Sequence, residues 1–177
     1  SDVYKRQIEA GRAVLTDAYA EIIATIKPTC FVMENVDRAR NSKAYSDARK
    51  TFKEAGYGLT EVVLDASLCG TPQRRKRFIC FGMQGAQDGF ALNAFLEGQA
   101  EKPMTLRDYF GDTLGFEYYY RHPRNYSRRA VFSIDEPAPT MRGVNRPVPK
   151  GYPGHPNDAC AVTEKLHALT TPERAMI

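Results

Sequence analysis

Two short apolar runs, TCFVMENV at residues 29–36 and KRFICFG at residues 76–82, constrain this chain more than any other feature of it. Each is bounded by proline, charged or turn-forming residues, the pattern of a strand buried in a sheet. The stretches around them have helical period. Within residues 8–27, Val14, Ala18, Ile22 and Ile26 recur every four positions with Leu15, Tyr19 and Ile23 beside them, predicting a helix with one apolar face that ends at Pro28. A second helix is predicted from Ser42, with Tyr45, Ala48, Phe52 and Ala55 on one face and Gly56 as its left-handed terminator. LTEVVLD at 59–65 reads as a further strand, separated from KRFICFG by the turn-forming SLCGTPQ. Helices alternating with strands predict an α/β fold.

Beyond Gly82 the texture changes. A short helix is expected near Phe90 to Leu96, followed by a region rich in Tyr, Arg and Pro that predicts a small, irregular domain with extended surface loops. The triplet Tyr118, Tyr119, Tyr120 suits packing better than base stacking. LTTPERAMI then offers a helix start, with Thr170 or Thr171 as cap, Pro172 in the first turn and Glu173 complementing the helix dipole.

The formal net charge is only +4, but it is unevenly spread. Between residues 121 and 150 Arg121, Arg124, Arg128, Arg129, Arg142, Arg146 and Lys150 face only Asp135 and Glu136, a distribution suited either to a polyanion or to an ordinary solvated surface. Cys30, Cys69, Cys80 and Cys160 form no clip spacing and the three histidines are far from them, so no metal is expected. Cys30, Cys69 and Cys80 sit among apolar or small neighbours and are expected as buried hydrophobes in a reducing compartment. No run approaches the roughly 18 apolar residues of a membrane span, and the start SDVYKRQIEA has no secretory segment. A soluble, cytoplasmic product is therefore expected.

Two groups carry chemistry. Glu34, Asn35 and Val36 end the first predicted strand, the place where open α/β sheets set ligand-binding groups, and a carboxylate there is costly unless used or paired. PQRRKRF at 72–78 enters the third strand, where alternation puts Arg75 and Arg77 on one side and Arg74 and Lys76 on the other. With Gln73, two guanidinium groups could hold a carboxylate, a phosphate or a base edge, or simply protect a sheet edge.

The order of these groups resembles the DNA cytosine-5 methyltransferase family. Glu-Asn-Val followed by helix, strand and Pro-Gln-x-Arg-x-Arg-Phe is similar to that family's sixth through eighth motifs, SIDEPAPTMRG to a passage late in its target recognition region, and LTTPE to the start of its ninth motif. The resemblance implies the second half of a Rossmann-like methyltransferase sheet (residues 1–84), a target recognition domain (85–168) and a return segment (169–177). It implies methyl transfer from S-adenosylmethionine to carbon 5 of a cytosine flipped out of duplex DNA, after thiolate addition at carbon 6, in a restriction and modification system. Glu34 would then contact nitrogen 3 and the exocyclic amine of the base, Arg77 its carbon 2 carbonyl, and Arg75 the neighbourhood of the nucleophile. Asn35, Val36 and Gln73 would support the pocket, and Arg121, Arg124, Arg128, Arg142 and Arg146 would be candidates for DNA contact.

Departures from the family pattern are equally definite. No cysteine here follows a proline, as the family's nucleophile does, and its Gly-rich cofactor turn is absent. The main cofactor-binding motifs and the catalytic cysteine are thus expected in flanking sequence of a longer parent, and this chain alone is expected to be inactive. Two alternatives stand beside this reading. One is a non-enzymatic DNA-binding module, which leaves Glu34 idle; the other is a tRNA cytosine-5 methyltransferase, which the roughly 80 residues between the matched regions disfavour.

Overall fold

A computed structural model describes residues 2–125, 127–141, 146–162 and 166–177. The chain divides into two compact units, Ser1–Leu64 with Lys76–Gln99, and Asp65–Arg75 with Ala100–Ile177.

The first unit is a mixed α/β structure, as expected. It contains α1 (Asp2–Ile26), β1 (Cys30–Val36), α2 (Lys43–Glu54), β2 (Tyr57–Asp65), β4 (Lys76–Gln84) and α3 (Leu92–Glu97), with β3 (Gln73–Arg74) intervening as part of the second unit. Its sheet has the order β1-β4-β2, and β1 runs antiparallel to β4 with Phe31 opposite Gly82 and Val36 opposite Arg77. Helix α2 begins where its cap chemistry says it should. Ser42 accepts from the Tyr45 N–H at 3.1 Å, and Gly56, at φ +92°, takes the left-handed turn that leads into β2.

One face of the sheet carries the core. Phe31, Met33, Phe78 and Cys80 meet Tyr45, Ala48 and Phe52 of α2 and Ala20 and Ile23 of α1, all buried. The ring of Phe31 lies 4.4 Å from Phe52 and 5.0 Å from Tyr57, centroid to centroid. Such fully buried side chains each contribute roughly 1.5–3 kcal/mol through transfer alone. On the opposite face Phe81 packs against Phe90 and Phe95.

Three expectations need correction. The apolar face foreseen for α1 is buried only in part: Ile23 is in the core with Ala20 and Tyr19 packs against it, whereas Val14, Leu15, Ile22 and Ile26 are exposed. Small Ala20 on α1 and small Ala48 on α2 let these two packed helices approach closely, which favours that line of residues over the bulkier one. The first strand is not buried on both faces either. Its residues alternate, with Phe31 and Met33 inside and Val32 outside, because β1 lies at the end of the sheet order and α1 and α2 cover one side of it. Of the three cysteines expected inside, only Cys80 is buried. Cys30 sits on the outward side of β1, and Cys69 ends a single 3-10 turn at Ala66–Leu68, so both are exposed.

The second unit is more regular than its composition suggests. It holds β3, α4 (Leu106–Phe110), β5 (Tyr118–Tyr120), β6 (Val131–Ser133), β7 (Ala138–Pro139), β8 (His167–Ala168) and α5 (Thr171–Met176). Strands β6, β5 and β8 form one sheet in that order, with β5 antiparallel to β6 and parallel to β8. Tyr119 and Tyr120 are buried in it, in keeping with the packing role read for the tyrosine run. Both helices open with a capping box, Thr105 with Asp108 and Thr170 with Glu173. The passage expected as surface loop around Ala138 is instead partly a strand. Ala138 is buried, and its N–H donates to the Pro72 carbonyl at 2.8 Å, pairing β7 in parallel with β3. Pro139, which has no N–H to give, is tolerated because this two-stranded ribbon needs no further ladder from it.

Candidate active site

The antiparallel register of β1 and β4 decides which groups meet. Glu34 lies opposite Ile79 and Arg77 opposite Val36, so the two charged side chains are diagonal neighbours on one face of the sheet, away from α1 and α2. They form an ion pair, Arg77 Nε to Glu34 Oε1, at 2.6 Å, with the Glu34 side chain 54% exposed and that of Arg77 26% exposed. Arg77 is also braced by its Nη1, which donates to the Lys76 carbonyl at 2.8 Å. A half-buried guanidinium anchored at its root and a carboxylate reaching into solvent make a pair that is oriented yet accessible to a ligand. Glu34 also borders a hollow of about 380 Å³ between α1 and β1, floored by Tyr19, Val32 and Met33. Tyr19 closes part of the open edge of β1 by donating to the Val32 carbonyl at 3.0 Å.

The other residues singled out in the sequence take different positions. Asn35 points to the opposite face from Glu34, and its side-chain oxygen accepts from the Val36 N–H at 2.8 Å. Val36 is exposed at the end of β1. In the second unit, Gln73 is half-buried in β3 and donates from Nε2 to the Ile177 carbonyl at 3.3 Å. Arg75 falls in the break between β3 and β4, and its N–H donates to Asp65 Oδ1 at 3.3 Å while its carbonyl accepts from the Ala66 N–H at 3.0 Å. Asp65 escaped the sequence reading. The same oxygen accepts from the N–H and the hydroxyl of Ser67, at 3.1 and 2.8 Å, so one carboxylate shapes the turn that delivers Arg75. The signal for it was the Asp-x-Ser pattern of an Asx turn.

The basic region separates into two kinds of arginine. Arg121 donates from Nη2 to the Thr140 carbonyl at 2.6 Å, and Arg129 grips Glu136 with both terminal nitrogens, one of them at 2.7 Å, while lying 4.4 Å over the Phe132 ring. These two bind the unit together. Arg124, Arg128, Arg146 and Lys150 are exposed, and Arg142 lies outside the described residues. A further arginine that the charge count overlooked, Arg107, bridges Asp112, Glu117 and Asp135, with Asp135 at 2.5 Å.

Among the described residues no group of His, Cys, Asp or Glu converges as metal ligands, and no helix is long and apolar enough to cross a membrane. The connection from β1 to α2 is a 3-10 turn, Asp37–Asn41, that contains no glycine. The glycines after β4 are occupied otherwise, Gly89 donating its N–H to the Leu59 carbonyl at 2.8 Å.

Comparison with known proteins identifies the family. A model of the C-5 cytosine-specific DNA methylase family matches residues 3–173. The chain is 49% identical over its whole length to the Type II methyltransferase M.HindV of Haemophilus influenzae, and 48% identical to the Type II methyltransferase M.HgiDI of Herpetosiphon aurantiacus. It spans 59% and 57% of those two proteins. Among solved structures, the S. pombe Dnmt2 methyltransferase matches 56% of this chain and 30% of its own at 22% identity, with a TM-score of 0.40. With nearly the whole chain covered by one family model and two relatives near half identity, this chain belongs to the C-5 cytosine-specific DNA methylase family.

Proposed function

We propose that the full-length protein carrying this chain transfers a methyl group from S-adenosylmethionine to carbon 5 of a flipped cytosine in duplex DNA, as a type II restriction-modification methyltransferase of the cytoplasm. The observation that carries this reading is the Glu34–Arg77 pair on one face of β1 and β4. When a cytosine enters, its nitrogen 3 and exocyclic amine present a proton-accepting and a proton-donating edge to the Glu34 carboxyl, and its carbon 2 oxygen takes a hydrogen bond from Arg77. The pair thereby exchanges part of its mutual interaction for the base. Charge that develops on the ring as a thiolate adds at carbon 6 is absorbed by a proton at Glu34 and by the guanidinium. Arg75, Asn35, Val36 and Gln73 keep in this reading the supporting roles that the family's motifs imply for them. S-adenosylmethionine supplies the methyl group. Residues 1–84 serve catalysis, 85–168 recognition of DNA and 169–177 the return toward the catalytic part, a division by role that differs in kind from the division into compact units.

The test is methyl transfer by the full-length protein. Glu34→Ala or Arg77→Ala is expected to lower kcat more than a hundredfold, about 3 kcal/mol in barrier. Unchanged turnover in both variants would end the assignment of the pocket. Competition between duplex DNA and tRNA as methyl acceptors checks the substrate, with DNA expected to win.

A further inference from the structure

Asp158 gathers four hydrogen-bond donors from two separate stretches of the second unit. Its Oδ1 accepts from the N–H groups of Ala130 and Val131, both at 2.9 Å. Its Oδ2 accepts from the Tyr152 hydroxyl and the His155 N–H, both at 2.8 Å. One oxygen therefore holds the start of β6 and the other holds the loop that runs from Arg146 to His155. The Tyr152 ring adds an apolar tie, buried with Tyr120, Ala130 and Val131, its centroid 6.0 Å from that of Tyr120.

The two stretches are those with the exposed basic side chains. Residues 121–130 return from β5 to β6 carrying Arg124 and Arg128, and the second loop carries Arg146 and Lys150. Arg121 and Arg129 are spent on internal bonds, which leaves the presentation of the outward cations to whatever orients these loops. A half-buried carboxylate is costly unless its lone pairs are answered. Here all of them are answered by loop backbone and one loop hydroxyl, so the charge is committed to fixing directions.

We propose that Asp158 is a positioning residue for DNA recognition: by tying Tyr152 and His155 to Ala130 and Val131, it holds the Arg124–Arg128 loop and the Arg146–Lys150 loop as one cationic edge against the phosphates of a duplex. This rests on the reading of the full-length protein as a DNA methyltransferase. Phosphate contacts set register and affinity and carry a salt dependence of about 0.9 per contact.

The experiment uses the full-length protein with unmethylated linear plasmid DNA as methyl acceptor. Asp158→Asn keeps the volume and the acceptor facing β6 but places a donor group where Tyr152 and His155 need an acceptor; Tyr152→Phe removes the hydroxyl that binds Asp158 while leaving the carboxylate and its other bonds in place. Asp158→Asn should raise KM for DNA by about tenfold with kcat at saturating DNA within about twofold, and should flatten the logarithmic salt dependence of binding by about one to two. Tyr152→Phe should move KM and slope in the same direction, less far, and it decides the matter should Asp158→Asn fail to fold. A lowered kcat at unchanged KM, or an unchanged KM and salt slope, overturns the proposal. The double variant Arg124→Ala with Arg128→Ala separates the causes. If it raises KM and the Asp158 and Tyr152 variants do not, the positioning role alone is wrong; if it too leaves KM and slope unchanged, the DNA-contacting reading of the basic region falls, and the proposal with it.

Discussion

A carboxylate at a strand end costs free energy unless something answers its charge, and at Glu34 the answer is Arg77, 43 positions later in the chain and 2.6 Å away in space. Other carboxylates are answered more completely. Burial pushes the Asp158 carboxyl up, but the N–H groups of Val131 and Ala130 and the Tyr152 hydroxyl outweigh it and hold it below the ordinary value of 3.8. Glu173 is likewise raised by burial and lowered further by His167 and Thr170, ending below 4.5. Since both folded values are depressed, their stabilisation is complete above the ordinary values, and it is lost as pH falls through the folded ones. The urea midpoint of the chain is therefore expected to be flat from pH 7 to pH 5 and to drop below about pH 4, and Asp158→Asn should make that acid drop shallower. An acid limb identical in the variant would remove Asp158 from the account.

The elements show how far local rules reach. Ser42 and Thr170 cap their helices and Gly56 ends α2, each as its immediate neighbours in sequence indicate. Ser42→Ala should accordingly cost about 1 kcal/mol of stability, measured by denaturant titration. Gly82 has no such local signature. It sits in β4 opposite Phe31, and a Cβ there would come within 2.2 Å of the Phe31 ring. Gly82→Ala should thus destabilise by more than Ser42→Ala, about 1–3 kcal/mol as overpacking, and an equal or smaller effect would show that Phe31 moves aside freely. The helix α1 teaches the reverse lesson. Two apolar lines run along it at helical spacing, and nothing in its own residues says that Ala20 and Ile23 face the core while Val14 and Ile22 face out. That choice belongs to the partner helix.

At the scale of the whole molecule, the proposed reaction needs a thiolate, and Cys80 and Cys30 are both poorly placed to supply it. Cys80 is fully buried and its thiol is pushed up to about 11, chiefly by burial, so it is not a nucleophile at neutral pH. Cys30 is exposed, yet four residues of extended strand, about 13 Å, separate it from Glu34. Purified 1–177 supplied with S-adenosylmethionine and unmethylated DNA is expected to incorporate no methyl label, and measurable turnover would overturn the role given to a cysteine outside it. The α/β class, the start and stop of α2, the start of α5, the family, and the nomination of Glu34 and Arg77 were all legible in the sequence. They depend on periodicity, caps and motif order, which act within a few residues or survive as spacing. The tertiary structure alone decided that Glu34 and Arg77 pair, that Arg121 and Arg129 turn inward while Arg124 and Arg128 stay out, that Ala138 joins β3, and that Asp158 binds two loops. The reason is physical: most of these contacts close between residues far apart along the chain, and their free energy depends on register, burial and competing partners that no local stretch of sequence contains.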